Sequence, residues 1–451
     1  MRNVTMLLLG AAVATGAFAA TEAPRLADEA GRPQFHYSPR VGWGNDPNGL
    51  VWKDGEWHFF HQHNPFGIDW GNMHWAHAVS RDLVHWEWLG DKLFPDKFGT
   101  MYSGSAVVDR ENTAGFGKEA LVFLYTAAGH PDSQCLAYST DGRTLFKFEG
   151  NPVIPDTPGW RDPKVFWHAP TKAWVMILYG LEENRHLFAI FRSNDLKRWT
   201  RTSTYRGDER GKGTWHFECP GLEEFRIEGE EKTAWVVWSA DCSYDVGTFD
   251  GFAFTPAEER ITWPAGEFYA AQAFSNVPDG RVIWSPWFRI KPGYAKDSSQ
   301  LYGLPQELTL RRTAKGLRLV RRPVRELEAL RDGPAKPLEA FEGELAEIWL
   351  EVDFPTPGIV DFDLRGIPLR YDSKTAKLSV GAQKTIDWPV ADGKLRLRIY
   401  IDRVGFEVFS QDGLNMAPLA VVPDPHARRL RVVQTHGKIE GRAYPLKSIY
   451  K

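Results

Sequence analysis

The sequence predicts an all-β protein, a β-propeller followed by a β-sandwich. Three observations carry the prediction: a degenerate repeat through the first two thirds of the chain, no long amphipathic helical periodicity there, and strict alternation after a proline-bracketed break. At 451 residues the chain is too long for one compact core, so two domains are expected.

The elements follow in chain order. Arg2, the apolar residues 6–13 and Ala17-Phe18-Ala19 have the charge, length and small-x-small ending of a secretory signal, which assigns residues 1–19 to a cleaved leader and the mature protein to the periplasm or the medium. That apolar run is too short to span a bilayer, and no later segment is long enough to do so, so membrane insertion is not expected. The propeller is assigned to residues 30–322. Ser80-Arg81-Asp82, Ser139-Thr140-Asp141 and Ser193-Asn194-Asp195 each precede an aromatic (Trp86, Phe146, Trp199) and each follow a strand-like run, at 57–60, 121–125 and 174–179. Residues 235–238 begin a fourth unit, and 269–288 supply most of a fifth. One such unit cannot bury both faces of its sheet, whereas units packed radially bury them on one another. A β-sandwich with accidental serine spacing is the alternative, and the triplicate motif weighs against it. Residues 323–336 form a linker in which 324–331 suits a short helix stopped by Asp332-Gly333-Pro334. Period-two runs at 347–354, 394–400 and 406–409 then assign 337–451 to the sandwich.

Net charge is only −3 with no basic block, which argues against nucleic acid and anionic membrane as partners. The 19 Trp, 14 Tyr and 27 Phe suit an all-β core, and equally suit stacking on sugar faces. Three cysteines, an odd set, leave at least one free thiol.

Three acidic motifs stand out: Trp43-Gly44-Asn45-Asp46-Pro47-Asn48-Gly49, Trp160-Arg161-Asp162-Pro163, and Trp215-His216-Phe217-Glu218-Cys219-Pro220. Singly, each also fits a turn or, for Arg161 and Asp162, a structural ion pair. Proline pushes the residue before it towards extended geometry, so Asp46 and Asp162 are expected at strand ends or in tight loops with little backbone freedom, as a catalytic carboxylate needs. His58, His61, His63, His74 and His77 match no standard metal spacing and are assigned to structure or substrate lining, and no cofactor or metal is expected.

Taken together these motifs resemble glycoside hydrolase family 32, the invertases, levanases and inulinases. His61 to Phe66, Trp70 to Trp75, Ala78 to Trp86, Ser103-Gly104-Ser105, Phe268 to Gln272 and Leu304 to Leu308 are also similar to its members, as are Asp402-Arg403 and Glu407-Val408-Phe409 near the end. The resemblance implies a five-bladed propeller with a C-terminal sandwich. It also implies hydrolysis of β-D-fructofuranosyl linkages in sucrose, inulin or levan by double displacement. By resemblance Asp46 is the nucleophile, Glu218 the general acid and base, and Asp162 the transition-state stabiliser. Arg161 is expected beside Asp162, keeping it ionised. Asn45, Gln62, Trp70, Tyr102 and Ser103 are expected to line the fructose subsite, with Trp284 and Trp287 near it and Trp75 in the core. Trp215, Phe217 and the ionised Asp46 are expected to raise the Glu218 pKa, through an apolar surround or nearby negative charge.

Two departures bear on the substrate. Gly44 stands where the family usually has methionine, and Ile283-Trp284-Ser285-Pro286-Trp287 replaces its Gly-Trp-Met-x-x-Trp stretch. Both are expected at the pocket rim, which leaves the choice among sucrose, inulin and levan open. Rival readings are a fructosyltransferase using the same acids, a non-catalytic fructan-binding protein, and an inverting arabinan or xylan propeller hydrolase. A binding protein has no use for an acid at the leaving oxygen, and the last group lacks the first and third motifs as a pair.

Overall fold

The computed structural model describes residues 26–207, 217–257, 260–262, 266–291, 293–381, 384–390 and 392–450; the expected leader, and Trp215 and His216, lie outside them. Regular structure is nearly all strand, and the longest helical segment among the described residues is the 3-10 helix Arg325–Leu330. None is long and apolar enough to cross a membrane.

Five sheets follow one another along the chain, and the opening strand of the second lies beside those of the first and third, and that of the fifth beside that of the first. These opening strands are Gly42–Lys53, Thr100–Asp109, Arg161–His168, Gly221–Arg226 and Phe268–Ala273. The fourth unit thus starts one strand earlier than the aromatic run 235–238. Gly221–Arg226 escapes a hydrophobic-run search because two glutamates occupy its middle.

The Ser-x-Asp motifs are the turns that end the third strands. Ser80, Ser139 and Ser193 donate to Asp82, Asp141 and Asp195 at 3.0, 2.9 and 3.1 Å, and each aspartate accepts two successive backbone N–H groups of the turn. In the fourth sheet Asp250 receives Phe252 and Ala253 N–H in the same way, with Thr248 where the serine would be. The physical role survives there while the readable signature is lost.

Side chains tie the opening strands together. Gly104 N–H donates to Asn48, Ser105 bridges Pro163 O and Val165 N–H, and Gln272 donates to Gly104 O while accepting from Leu50 N–H. Buried Lys164 donates to Ala273 O at 2.8 Å and pairs with Glu223 at 3.5 Å. After the fifth sheet has begun, Ser298–Ser299 returns to pair in parallel with Gly42 and Trp43 of the first.

The last third forms two further sheets of six and five strands. Their facing sides bury Ile348, Leu350, Phe362, Leu369, Leu397 and Val408. The expected runs appear as Ala346–Asp353, Lys394–Ile401 and Phe406–Ser410. Residues 323–336 are not a loose tether: Val324, Leu327 and Leu330 are buried in one apolar cluster with Phe288, Tyr400 and Phe409. Arg331 reaches Glu347 at 2.7 Å.

Candidate active site

In four of the five opening strands a two-against-one register shift falls at the residues the sequence singled out. Asn45 and Asp46 oppose Gln62 alone, Tyr102 and Ser103 oppose Thr126, Asp162 and Pro163 oppose Leu178, and Ala270 and Ala271 oppose Pro286. A bulge of this kind turns a side chain out of the sheet's alternation and re-aims it. The fourth sheet has Glu218-Cys219-Pro220 immediately before its first strand, held by Ala240 N–H on Phe217 O and Glu218 O. All five features lie at the N-terminal ends of the opening strands. They enclose a hollow of about 420 Å³ lined by Asn45, Asp46, Gln62, Trp70, Tyr102, Arg161, Asp162, Glu218, Tyr269 and Trp287.

Asp46 is fastened by a ring of hydrogen bonds. Asn45 Nδ2 donates to Gln62 Oε1 (2.6 Å) and to Asp46 Oδ1 (3.2 Å), Gln62 donates to Ser103 Oγ (2.9 Å), and Ser103 donates to Asp46 Oδ2 (2.6 Å). Trp43 Nε1 holds the Asn45 oxygen at 3.0 Å. Burial raises the Asp46 pKa and the charge of Glu218 adds to it, while the bonds from Ser103 and Asn45 pull it down.

Cys219 joins two of the acids. Its Sγ lies 3.5 Å from both Asp46 Oδ2 and Asp162 Oδ2, and its N–H donates to Asp162 Oδ2 at 3.0 Å. Burial and three neighbouring carboxyls push the thiol well above its usual pKa, so it stays a donor.

Arg161 stands beside Asp162 as expected, but the acid it hydrogen-bonds is Glu218. Arg161 gives two N–H groups to Glu218 Oε1, at 2.7 and 3.1 Å, and stands 3.9 Å from Asp162. Its guanidinium lies over the Tyr179 and Phe217 rings, which fix that direction. Burial carries the Asp162 pKa up to about 7, against the charge of Arg161 and with those of Asp46 and Glu218. Arg161 is the main influence that holds it down. Asp162 lies at the start of its strand, as expected, with φ +68°, and Glu218 and Cys219 also have positive φ, a strained state for non-glycine residues. Glu218, expected in an apolar surround or near negative charge, accepts from Arg161 and from Tyr269 OH at 2.7 Å. Phe217 packs beside this arginine, and Trp215 is outside the described residues.

Trp284 is also corrected. It is fully buried, donates to Gln306 Oε1 at 3.1 Å and meets Trp238 edge to face, so it belongs to the core. Trp284 and Trp287 are three apart on one strand and face opposite sides, so only Trp287 reaches the hollow. Tyr269 went unassigned although it starts the same bulge; its place just before the register shift was the available signal. Trp70 is exposed on the rim, edge to face with Tyr102, and Trp75 is core, with its N–H on Tyr102 O.

Gly44 and Pro286, expected at the pocket rim, do not line the hollow. A Cβ on Gly44 would come within 2.4 Å of Pro39 and 2.8 Å of Tyr302 OH, so that space is already filled from the other side. Pro286, which has no N–H, is the single residue opposite a bulge, and its carbonyl accepts from Gly303. Of the histidines, His58 and His77 stack on each other, His61 bonds Tyr37 OH and His63 bonds Asp91.

The profile of the "Glycosyl hydrolases family 32 N-terminal domain" matches residues 36–323. A levanase of Bacillus subtilis (strain 168) is 35% identical, over 100% of this chain and 75% of its own. An extracellular exo-inulinase of Aspergillus awamori is 29% identical, over 92% of this chain and 93% of its own. The crystal structure of an exo-inulinase from Aspergillus awamori superposes with a TM-score of 0.83 at 27% identity, covering 94% of this chain and 99% of that one. A fructofuranosidase from Schwanniomyces occidentalis complexed with fructose gives 0.79 at 25% identity, covering 94% and 100%.

Proposed function

Since the chain belongs to glycoside hydrolase family 32, we propose that it hydrolyses β-D-fructofuranosyl linkages in fructans or sucrose with retention of configuration. The observation that carries this reading is the meeting of Asp46, Asp162 and Glu218, remote in sequence, around one sugar-sized hollow. In the first step an Asp46 oxygen bonds to the anomeric carbon as the bond to the leaving oxygen breaks, and Glu218 gives that oxygen its proton. In the second, Glu218 takes a proton from water, whose oxygen displaces Asp46.

The ring of donors on Asp46 favours its carboxylate form and fixes its direction before the sugar arrives, which suits a nucleophile. Tyr269 and Arg161 hold Glu218 where the leaving oxygen must be reached, and they stabilise the carboxylate that proton transfer leaves behind. Asp162 accepts sugar hydroxyls opposite, and Cys219 keeps it in register with Asp46. Trp70, Tyr102 and Trp287 offer ring faces to the sugar, beside the amides of Asn45 and Gln62.

In this reading the five sheets are the blades of a propeller over residues 30–322, 323–336 connects them, and 337–451 is a β-sandwich. Residues 1–19 act as an export leader, in keeping with the extracellular exo-inulinase among the relatives. The test is fructose release from sucrose, inulin and levan. Asp46→Asn is expected to lose kcat by orders of magnitude, and Glu218→Gln by about 10²- to 10⁴-fold on substrates with poor leaving groups. Full turnover in either variant removes its assigned role.

A further inference from the structure

A second cavity lies at the opposite ends of the opening strands. It measures about 550 Å³, larger than the hollow of the three acids, and is lined where those strands finish: by Val107 to Glu111, Phe166 and Trp167, Glu223 and Glu224, and Phe274 to Val277. The linings of the two spaces share no residue. Between them run Lys164 to Ala273 O and Gln272 to Gly104 O, leaving a void of about 10 Å³, room for a single water.

We infer that this cavity is a second saccharide-binding site, one that takes a stretch of fructan chain away from the reacting end. The fructan part of this statement rests on the proposed function; the saccharide part rests on the cavity. Trp167 is 42% exposed although it lies on a strand whose residues are otherwise mostly buried. Its ring is held edge to face by Trp174, centroids 5.1 Å apart, and Trp174 is anchored by its N–H on Thr113 Oγ1 at 2.8 Å. An indole already fixed, with its face open in a cavity, is a platform that stacks on a sugar at little entropic cost.

The charges in the lining disfavour an anion. Arg281 is engaged by Asp279 and Glu326, and Arg110 bonds the Asn276 carbonyl across the rim, so no cluster of free cations awaits an anion. Asp109 is spent on Thr113 and Ala114 N–H, Glu223 on Lys164, and one oxygen of Glu224 on Thr233. What remains in the lining are the carboxylate of Glu111 and the second oxygen of Glu224, acceptors suited to the hydroxyls of an uncharged polyol. A polymer gripped at two places on one enzyme stays near the reacting hollow between cleavages, while a disaccharide gains nothing from the second grip.

The experiment measures retention of the Asp46→Asn protein in gels containing levan or inulin, with dextran as control, against the same protein carrying Trp167→Ala. Fructan retention is expected to weaken by about 10-fold or more, as for the loss of one aromatic anchor, and to persist with Trp167→Phe. On the otherwise wild-type enzyme, Trp167→Ala is expected to raise KM for the polymer, with sucrose turnover as the reading of the other hollow. Unchanged fructan retention, with sucrose still hydrolysed, overturns the second site and leaves the proposed function standing. Trp167-dependent retention in a protein that releases no fructose does the reverse. If Trp167→Ala lowers Tm, Trp167→Gln, which removes the ring while keeping a bulky side chain, serves in its place.

Discussion

At the scale of single residues, the site is a set of hydrogen bonds converging on carboxylates, and their strengths can be read kinetically. Ser103 gives Asp46 its shortest bond and is the first influence that opposes the rise in pKa caused by burial. Without it the folded-state pKa of Asp46 climbs further. A nucleophile works ionised, so the acid limb of kcat/KM against pH is expected to move to higher pH in Ser103→Ala and to return with Ser103→Thr; an unmoved limb contradicts the assignment. Tyr269→Phe deletes the donor on Glu218 Oε2 without disturbing ring packing on Trp287. A hydrogen bond to a charged group is worth about 1.5–3 kcal/mol, so kcat/KM is expected to fall by about 10- to 100-fold with little change in Tm.

At the scale of elements, the repeated device is the bulge near the start of an opening strand. A regular strand would send Asn45 and Asp46 to opposite faces, and the extra residue lets both line the hollow, while in the next bulge Tyr102 lines it and Ser103 reaches Asp46. The neighbouring strand Val282–Phe288 has no such freedom, and its two tryptophans part company across the sheet. Trp284→Ala is therefore expected to cost about 3–5 kcal/mol of stability through the cavity it leaves in the core. Trp287→Ala is expected to raise KM at nearly constant Tm. Thermal melts paired with kinetics separate the two, and a reversed pattern would place the wrong ring in the pocket.

At the scale of the whole molecule, the N-terminal segment is bolted to the last sheets by buried charge. Asp402 accepts the N–H groups of Gln34, Phe35 and His36 and the His36 ring at 2.9 Å, while Glu407 takes the other ring nitrogen at 3.1 Å. Burial alone would lower the His36 pKa, but these two carboxylates override it and raise it from 6.5 to about 9. A pKa raised on folding adds stability that is complete below about pH 6.5 and lost as pH rises through 9, here about 3 kcal/mol at most. Because Phe35, Phe288, Leu327, Tyr400 and Phe409 share one apolar cluster, unfolding is expected as a single cooperative transition. Its midpoint is expected to drop between pH 7 and 10, and the drop to shrink in His36→Gln. Two separated calorimetric peaks, or a midpoint indifferent to alkali, would falsify this picture.

The sequence by itself determined the all-β class, the Ser-x-Asp turns, the three acids and most of the pocket lining, because strand alternation, turn chemistry and short motifs are local. The tertiary structure decided what depends on direction. It turned Arg161 towards Glu218, sent Trp284 into the core, brought Tyr269 to the acid and filled the space beside Gly44 with Pro39 and Tyr302. Each outcome rests on a one-residue shift in register or on a neighbour from a distant strand. A linear motif does not encode which of two faces a side chain takes until the strands are paired.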